Sequence, residues 1–437
     1  MENPFKIFRL LPIYLAISYL ATTIALFFWG PFDWPIRNTA TLGLFLGASL
    51  VSMTVGFDLG SRLPATGGQF RAWRLCSRVG ALASIALLFP STWAYTGKWP
   101  WEVGSVLSNQ GIAYSEMLSA LEANESGIRA HVAIVRTVFA PFVFCVIPFS
   151  ILHWKHLRRS DAALLLLHVL SILIFSLMRG TDRETVDLIV IIGGSLFILI
   201  ARWTLSNQRF PFYPRRVTVV LLTALVVLAT SFALFLDRKE SRMGGDEAFC
   251  VGERLVCSTR HANQSAAMTK LSFGTEMLTA YMSQGYYGLS LALQEDFFWT
   301  YGFGHSAFLM DSVGTLVDES LNDRSYLAKI NAAGWDTKAQ WSTVFPWLAS
   351  DLGFPLVPFA MAFLSLLWGA SWRSSVVRED DTGALIFLLS CIAVLYIPAN
   401  NQISQTLDSY FSAIFWLFLW MTAQRFGTED RPTANTR

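Results

Sequence analysis

The tightest cluster of chemistry-bearing residues in the sequence is the turn Met178-Arg179-Gly180-Thr181-Asp182-Arg183-Glu184, which separates two apolar runs and carries two arginines. A guanidinium near lipid costs roughly a few kcal/mol unless something offsets it. One offset is a bound anion, because the planar guanidinium grips phosphate through two N–H donors and stays charged at any working pH. Arg179 and Arg183 are therefore candidates for an anion clamp. The other offset is internal, with Arg179 meeting Asp182 and Arg183 meeting Glu184, and the sequence leaves both open.

A second signal is the stretch Leu271 to Asp323. Its fifty-three residues hold no Lys or Arg but seven acids, among them Glu276, and ten aromatics, among them Tyr286, Tyr287 and Trp299. Acidic and aromatic groups together suit a neutral, polyhydroxylated ligand, so Tyr286, Tyr287, Gln284 and Trp299 are candidate glycan contacts. Leu278, Tyr281, Met282, Leu289, Ala292 and Leu293 share one helical face, with Glu276, Thr279, Ser283 and Tyr287 on another. This spacing predicts an amphipathic helix at a membrane interface, apolar face down beneath a polar groove. The competing reading makes the aromatics interface anchors.

Within the same stretch, Gly302-Phe303-Gly304-His305-Ser306-Ala307 fits G-x-G-x-x-A, but no strand or βαβ unit surrounds it, so a dinucleotide site is not expected. Ser306 is followed two positions on by Phe308, which excludes a nucleophile elbow. A histidine between flexible glycines does suit a positioned general base or a substrate contact. His305 and Glu276 are the candidate bases; an ordinary loop histidine is the plainer alternative. The sequence has neither C-x-x-C nor H-E-x-x-H, and no cofactor or metal is expected.

These residues must be positioned by membrane helices. The chain has 437 residues, 53% of them hydrophobic and only 15% charged. Soluble domains carry about 25% charged residues, so a water-soluble enzyme is excluded. Runs of spanning length occur at about residues 8–30, 39–60, 79–96, 131–152, 162–178, 185–201, 217–236, 346–370, 383–399 and 405–424. The expected fold is an all-α polytopic membrane protein of about ten transmembrane helices. The first run is too long for a signal peptide and is read as a retained span.

With the N-terminus inside, the cytoplasmic segments hold eighteen Lys and Arg against five in the short outside loops. Both termini are then expected in the cytoplasm. The domain reading is seven spans over 1–236 with an outside loop at 97–130, a long outside loop at 237–345 containing the amphipathic helix, three spans over 346–425, and a polar tail at 426–437. Cys250 and Cys257 share the long loop, and their spacing permits a disulfide in an oxidising compartment; two unpaired thiols are the alternative. A net charge of +2 with scattered basic residues excludes nucleic acid as an expected partner.

Four pieces in this order resemble the Wzy-type oligosaccharide repeat-unit (O-antigen) polymerases, and more loosely the related O-antigen ligases. They are Ser176-Leu177-Met178-Arg179, Ser283-Gln284-Gly285-Tyr286-Tyr287-Gly288-Leu289, Gly302-Phe303-Gly304, and Ser350-Asp351-Leu352-Gly353-Phe354 at the eighth span. The likeness covers about residues 160–370. It implies a GT-C-like fold and a metal-independent glycosyltransferase at the periplasmic face of the bacterial inner membrane. Such an enzyme transfers a chain from undecaprenyl diphosphate to the terminal hydroxyl of a fresh lipid-linked repeat unit, and a chain-length regulator protein is an implied partner besides the lipid bilayer. In that setting Arg179 and Arg183 would bind the departing diphosphate, and His305 or Glu276 would accept the hydroxyl proton. Three other classes compete: an O-antigen ligase, a polysaccharide-precursor transporter or flippase, and a non-catalytic scaffold. A transporter should show more in-span ionisable groups than Arg136, His168 and Asp187, and two corresponding halves.

Overall fold

The structure is a computed structural model and describes residues 5–108, 128–206, 250–252, 255–257, 266–316, 320–337 and 340–426. Its principal helices are α1 (Leu11–Trp29), α2 (Thr39–Gly60), α3 (Trp73–Thr96), α4 (Ile128–Leu152), α5 (Arg159–Met178) and α6 (Arg183–Leu205). After them come α7 (Ala266–Ala292), α8 (Ala307–Leu316), α9 (Tyr326–Ala332), α10 (Val344–Leu352), α11 (Val357–Val377), α12 (Asp381–Leu395) and α13 (Leu407–Phe426). Helices α1 to α6 and the run Phe354–Val377 are long and apolar enough to cross a bilayer. The chain is a helical, multi-pass membrane protein. The expected span at 217–236 lies outside the described residues, as does nearly all of the tail.

Two expected spans differ. The run at 346–370 is not one helix: α10 stops at Leu352, Gly353 takes a left-handed φ of +72°, and a 3₁₀ turn with Pro355 leads into α11. A glycine that accepts positive φ ends the first helix, and a proline in the first turn starts the second without losing a hydrogen bond. The run at 383–399 ends as a helix at Leu395, because Pro398 disfavours helical backbone before it. At fifteen residues α12 is about 22 Å long, short of the ~30 Å hydrocarbon core.

The chain forms two compact units, each discontinuous in sequence. The first comprises Met1–Ala65, Glu247–Arg373 and Leu389–Tyr410. In it, Gly56 and Gly60 of α2 face the backbone of α11, where a Cβ at either position would lie 2.0 Å from the carbonyl oxygen of Ala362 or Leu366. Small residues four apart allow membrane helices to touch backbone to backbone. Gly56→Val is therefore expected to cost about 3 kcal/mol or more, since the obstructing atom is main chain and cannot rotate away. A lowered melting temperature of the purified protein would show it, and an unchanged one would refute the contact.

Helix α7 packs on α1 in the same unit. It forms, but not as the surface helix expected from its spacing: every residue from Ser283 to Ser290 is buried. The supposedly open polar face is covered because Gly285 admits the Pro398 carbonyl to within 1.9 Å of where a Cβ would stand, and Trp335 lies against Gly288. Cys250 and Cys257 are joined by a disulfide across a two-stranded antiparallel hairpin, Cys250–Val251 with Val256–Cys257.

The second unit comprises Thr66–Asp246, Ser374–Leu388 and Phe411–Arg437. Helices α3 to α6 form its body. At one end Asp381 is completely buried and accepts hydrogen bonds from His153 Nε2 and the Phe70 backbone N–H, both 2.8 Å away. Asp380 is buried as well and accepts from Trp420 Nε1 at 3.0 Å, while Glu379 beside it is exposed.

Candidate functional site

The break at Gly353 places Asp351 in the last turn of α10, and the loop from Asp296 to Ser306 wraps onto it. Tyr301 and Gly302 both take left-handed backbone, with φ of +57° and +87°, which turns the chain sharply enough to aim successive N–H groups at one carboxylate. Asp351 Oδ1 accepts from the Gly304 N–H at 2.9 Å and the Thr300 hydroxyl at 2.6 Å. Its Oδ2 accepts from the His305 N–H at 2.9 Å and from His305 Nδ1 at 3.0 Å. Burial alone would raise the Asp351 carboxyl, but these hydrogen bonds, led by those of His305 and Thr300, hold it below the ordinary carboxylate value.

A carboxylate only accepts, so His305 donates through Nδ1 and presents Nε2 as an acceptor. The Tyr410 hydroxyl, in the first turn of α13, lies 2.9 Å from that nitrogen. The loop carrying His305 is fastened on two sides, by Asn401 Nδ2 to the His305 carbonyl at 2.7 Å and by the Ser306 hydroxyl to the Ser404 carbonyl at 2.8 Å. His305 keeps 27% of its side chain exposed while Asp351 keeps 10%. A carboxylate that is mostly enclosed thus orients a reachable imidazole, which is the geometry of a general base with its positioning group.

The other sequence candidates in this unit separate. Tyr286 is fully buried, its hydroxyl 2.7 Å from that of Thr23 and its ring 5.6 Å from Phe27. Tyr287 stacks on Trp34 at 5.6 Å, and Gln284 is buried beside them on α7. These three pack the helix rather than offer a glycan surface. Trp299 is 54% exposed, stands 4.9 Å from Tyr301, and belongs to the loop that ends in His305. Glu276 sits in the middle of α7, while both ring nitrogens of His305 are taken by Asp351 and Tyr410.

In the second unit Arg179 caps α5. Its Nη1 is 2.5 Å from Glu184 Oε1, and Glu184 Oε2 accepts from the Thr181 hydroxyl at 2.9 Å. Arg183 instead lies 3.8 Å from Asp187, one turn along α6. Arg179 thus pairs with Glu184 and Arg183 lies nearest Asp187, while the charge of Arg183 also acts on Glu184. Arg179 also lies over the rings of Phe175 and Tyr95, at 5.2 and 5.5 Å. Arg136 approaches the same two rings, at 4.6 and 5.6 Å, and Arg129 approaches Tyr95 at 5.6 Å. Three guanidinium groups therefore converge on one tyrosine. Glu184 supplies a negative charge to this group through Arg179. Arg129 and Arg136 stand seven apart on α4, one face of a helix, which is the sequence signal for this pairing.

Among the described residues no three His, Cys, Asp or Glu side chains gather as a metal site would need. Comparison with family models, curated proteins and solved structures finds no match for this chain.

Proposed function

We propose that the chain is a polymerase of undecaprenyl-diphosphate-linked oligosaccharide repeat units, working at the periplasmic face of the bacterial inner membrane with both termini in the cytoplasm. The observation that carries the reading is the Asp351–His305–Tyr410 chain, a base oriented by an ionised carboxylate beside the exposed Trp299 and Tyr301. A sugar hydroxyl is a weak nucleophile at neutral pH, and this arrangement supplies what it lacks.

In the proposed step the acceptor hydroxyl gives its proton to His305 Nε2, directly or through Tyr410, as its oxygen bonds to the anomeric carbon. The bond from that carbon to the phosphate oxygen breaks, and the lipid diphosphate departs with the electron pair. A diphosphate-binding role for Arg179, with Arg136 beside it over Phe175, is a separate proposal that rests on the geometry of the second unit alone. The four aromatics Phe297, Phe298, Trp299 and Tyr301 precede His305 by four to eight residues and are all about half exposed, so they support sugar rings near the base.

An O-antigen ligase would use the same chemistry with a different acceptor, and one experiment separates the two. Deletion of the protein is expected to leave surface glycan with a single repeat unit on its lipid acceptor, the pattern of a lost polymerase. Complete loss of repeat units points to a ligase or flippase, and an unchanged ladder would sink both readings.

A further inference from the structure

We propose that the loop bearing His305 is a membrane-interface anchor, its aromatic tip seated in the headgroup layer of the leaflet that meets the first turn of α11. Hydrogen bonds fix the height of this loop against the start of that span. The Thr300 N–H donates to the Ser350 carbonyl at 3.3 Å, and the Thr300 hydroxyl and the His305 N–H both donate to Asp351. The apolar run long enough to cross a bilayer starts at Phe354, three residues after Asp351. A loop tied to residues 350 and 351 therefore stands where the hydrocarbon ends and the headgroups begin.

The side chains carry that boundary on without a gap. Leu356, Phe359 and Phe363 follow one another at helical spacing along the run, and all three are exposed, Phe359 by 71%. Phe297 extends this face: its ring lies 3.8 Å from where a Cβ of Gly353 would stand, beside Pro355. Phe298, Trp299 and Tyr301 come next, each about half exposed. Lys329 Nζ lies over the Phe298 ring at 4.3 Å, and Arg324 Nη1 donates to the Tyr301 hydroxyl at 2.8 Å. The interface selects such a set, because each of Trp, Tyr, Lys and Arg places an apolar body at the acyl boundary and a polar tip among the headgroups. Asp296, exposed and directly before the aromatics, holds the loop at that depth, since a carboxylate in hydrocarbon is costly. A protein partner or a second copy would not require the face to run on unbroken from a lipid-crossing helix, so the leaflet is the better occupant. The anchoring stands without the polymerase reading; with it, sugars joined to a lipid diphosphate lie at the same depth as Trp299 and Tyr301, so one loop serves both.

The test reconstitutes the full chain in phosphatidylcholine vesicles, with the free cysteines Cys76, Cys145 and Cys391 replaced by Ala, and places a nitroxide on Phe298→Cys, Trp299→Cys or Phe363→Cys. Collisions with oxygen, which concentrates in lipid, are compared with collisions with a water-soluble nickel chelate. The oxygen-to-chelate ratio is expected to be several-fold higher at 298 and 299 than for free nitroxide in buffer, and highest at 363. A ratio at 298 and 299 equal to that of free nitroxide, with 363 still high, would overturn the proposal and leave the aromatics facing water. Photoreactive benzoylphenylalanine in place of Phe298 keeps the ring and gives a second measurement should a cysteine variant fail to fold. Its adducts are expected on phosphatidylcholine. Adducts on a second copy of the chain with none on lipid would overturn the proposal in favour of self-association.

Discussion

His305→Ala is expected to lower the rate of glycosyl transfer by about 10² to 10⁴, the usual contribution of a positioned general base, while lipid-linked substrate still binds. The same loss is expected from Asp351→Asn, for a reason that lies in the hydrogen-bond directions. Asp351 receives four donors and offers none. An asparagine must turn its NH₂ toward two of them. If it faces the Gly304 N–H and the Thr300 hydroxyl, the wrap of the loop loosens. If it faces His305, the imidazole adopts the other tautomer and Nε2 becomes a donor, unable to take a proton. Because Asp351 is held below the ordinary carboxylate value, it stays ionised across the neutral range, and its protonation does not limit activity there. Tyr410→Phe tests the last link: it keeps the ring against Phe308 and removes only the hydroxyl. A clear fall in turnover assigns a relay, and an unchanged rate leaves His305 to act directly. The measurement is single-turnover transfer with purified lipid-linked repeat units, and wild-type rates from both His305→Ala and Asp351→Asn would remove the relay from the mechanism.

Half of that relay is legible in the sequence. His305 stands between glycines beside aromatics, and residue type with local spacing is enough to single it out. Its partner is forty-six residues away, and no periodicity links the two. Asp351 also hides inside a run of spanning apolarity, since hydropathy measures how greasy a segment is and not where its helix ends. The Gly353-Phe354-Pro355 signal for the break is present in the sequence, but the apolar residues on both sides dominate the hydropathy there. The aromatics of α7 failed for another reason: Tyr286 and Tyr287 carry the same side chain whether they stack on a sugar or on Phe27 and Trp34. What decides is the covering of that face by Pro398 and Trp335, a contact over long sequence distance. The seven long apolar helices among the described residues, by contrast, follow from composition, because in lipid a backbone must bond to itself locally.

Arg179→Ala and Arg136→Ala are each expected to cut polymer formation by about 10² to 10³, with protein abundance near normal. The magnitude separates the two things this cluster could do. If the guanidinium groups only pack on Tyr95 and Phe175, each contact contributes about 0.5 to 2 kcal/mol of stability, and its loss lowers the melting temperature without a matching loss in turnover. If they bind a lipid diphosphate, the loss falls on polymer formation instead, where one well-placed donor to a charged group is worth about 2.7 to 4 kcal/mol. Lysine replacements divide the cases again, because an ammonium keeps the charge but cannot reproduce a two-pronged phosphate contact, so partial rescue is expected. Arg183→Ala should do less than either, since Arg183 lies by Asp187 rather than over Tyr95. Glu184→Gln releases the carboxylate that now holds Arg179 at 2.5 Å, and it should tighten binding of a lipid diphosphate rather than weaken it. Chain-length ladders and melting curves from the same preparations supply both readouts. Normal ladders from Arg179→Ala and Arg136→Ala, whatever the melting curves show, would reduce the cluster to cations packed on aromatic rings.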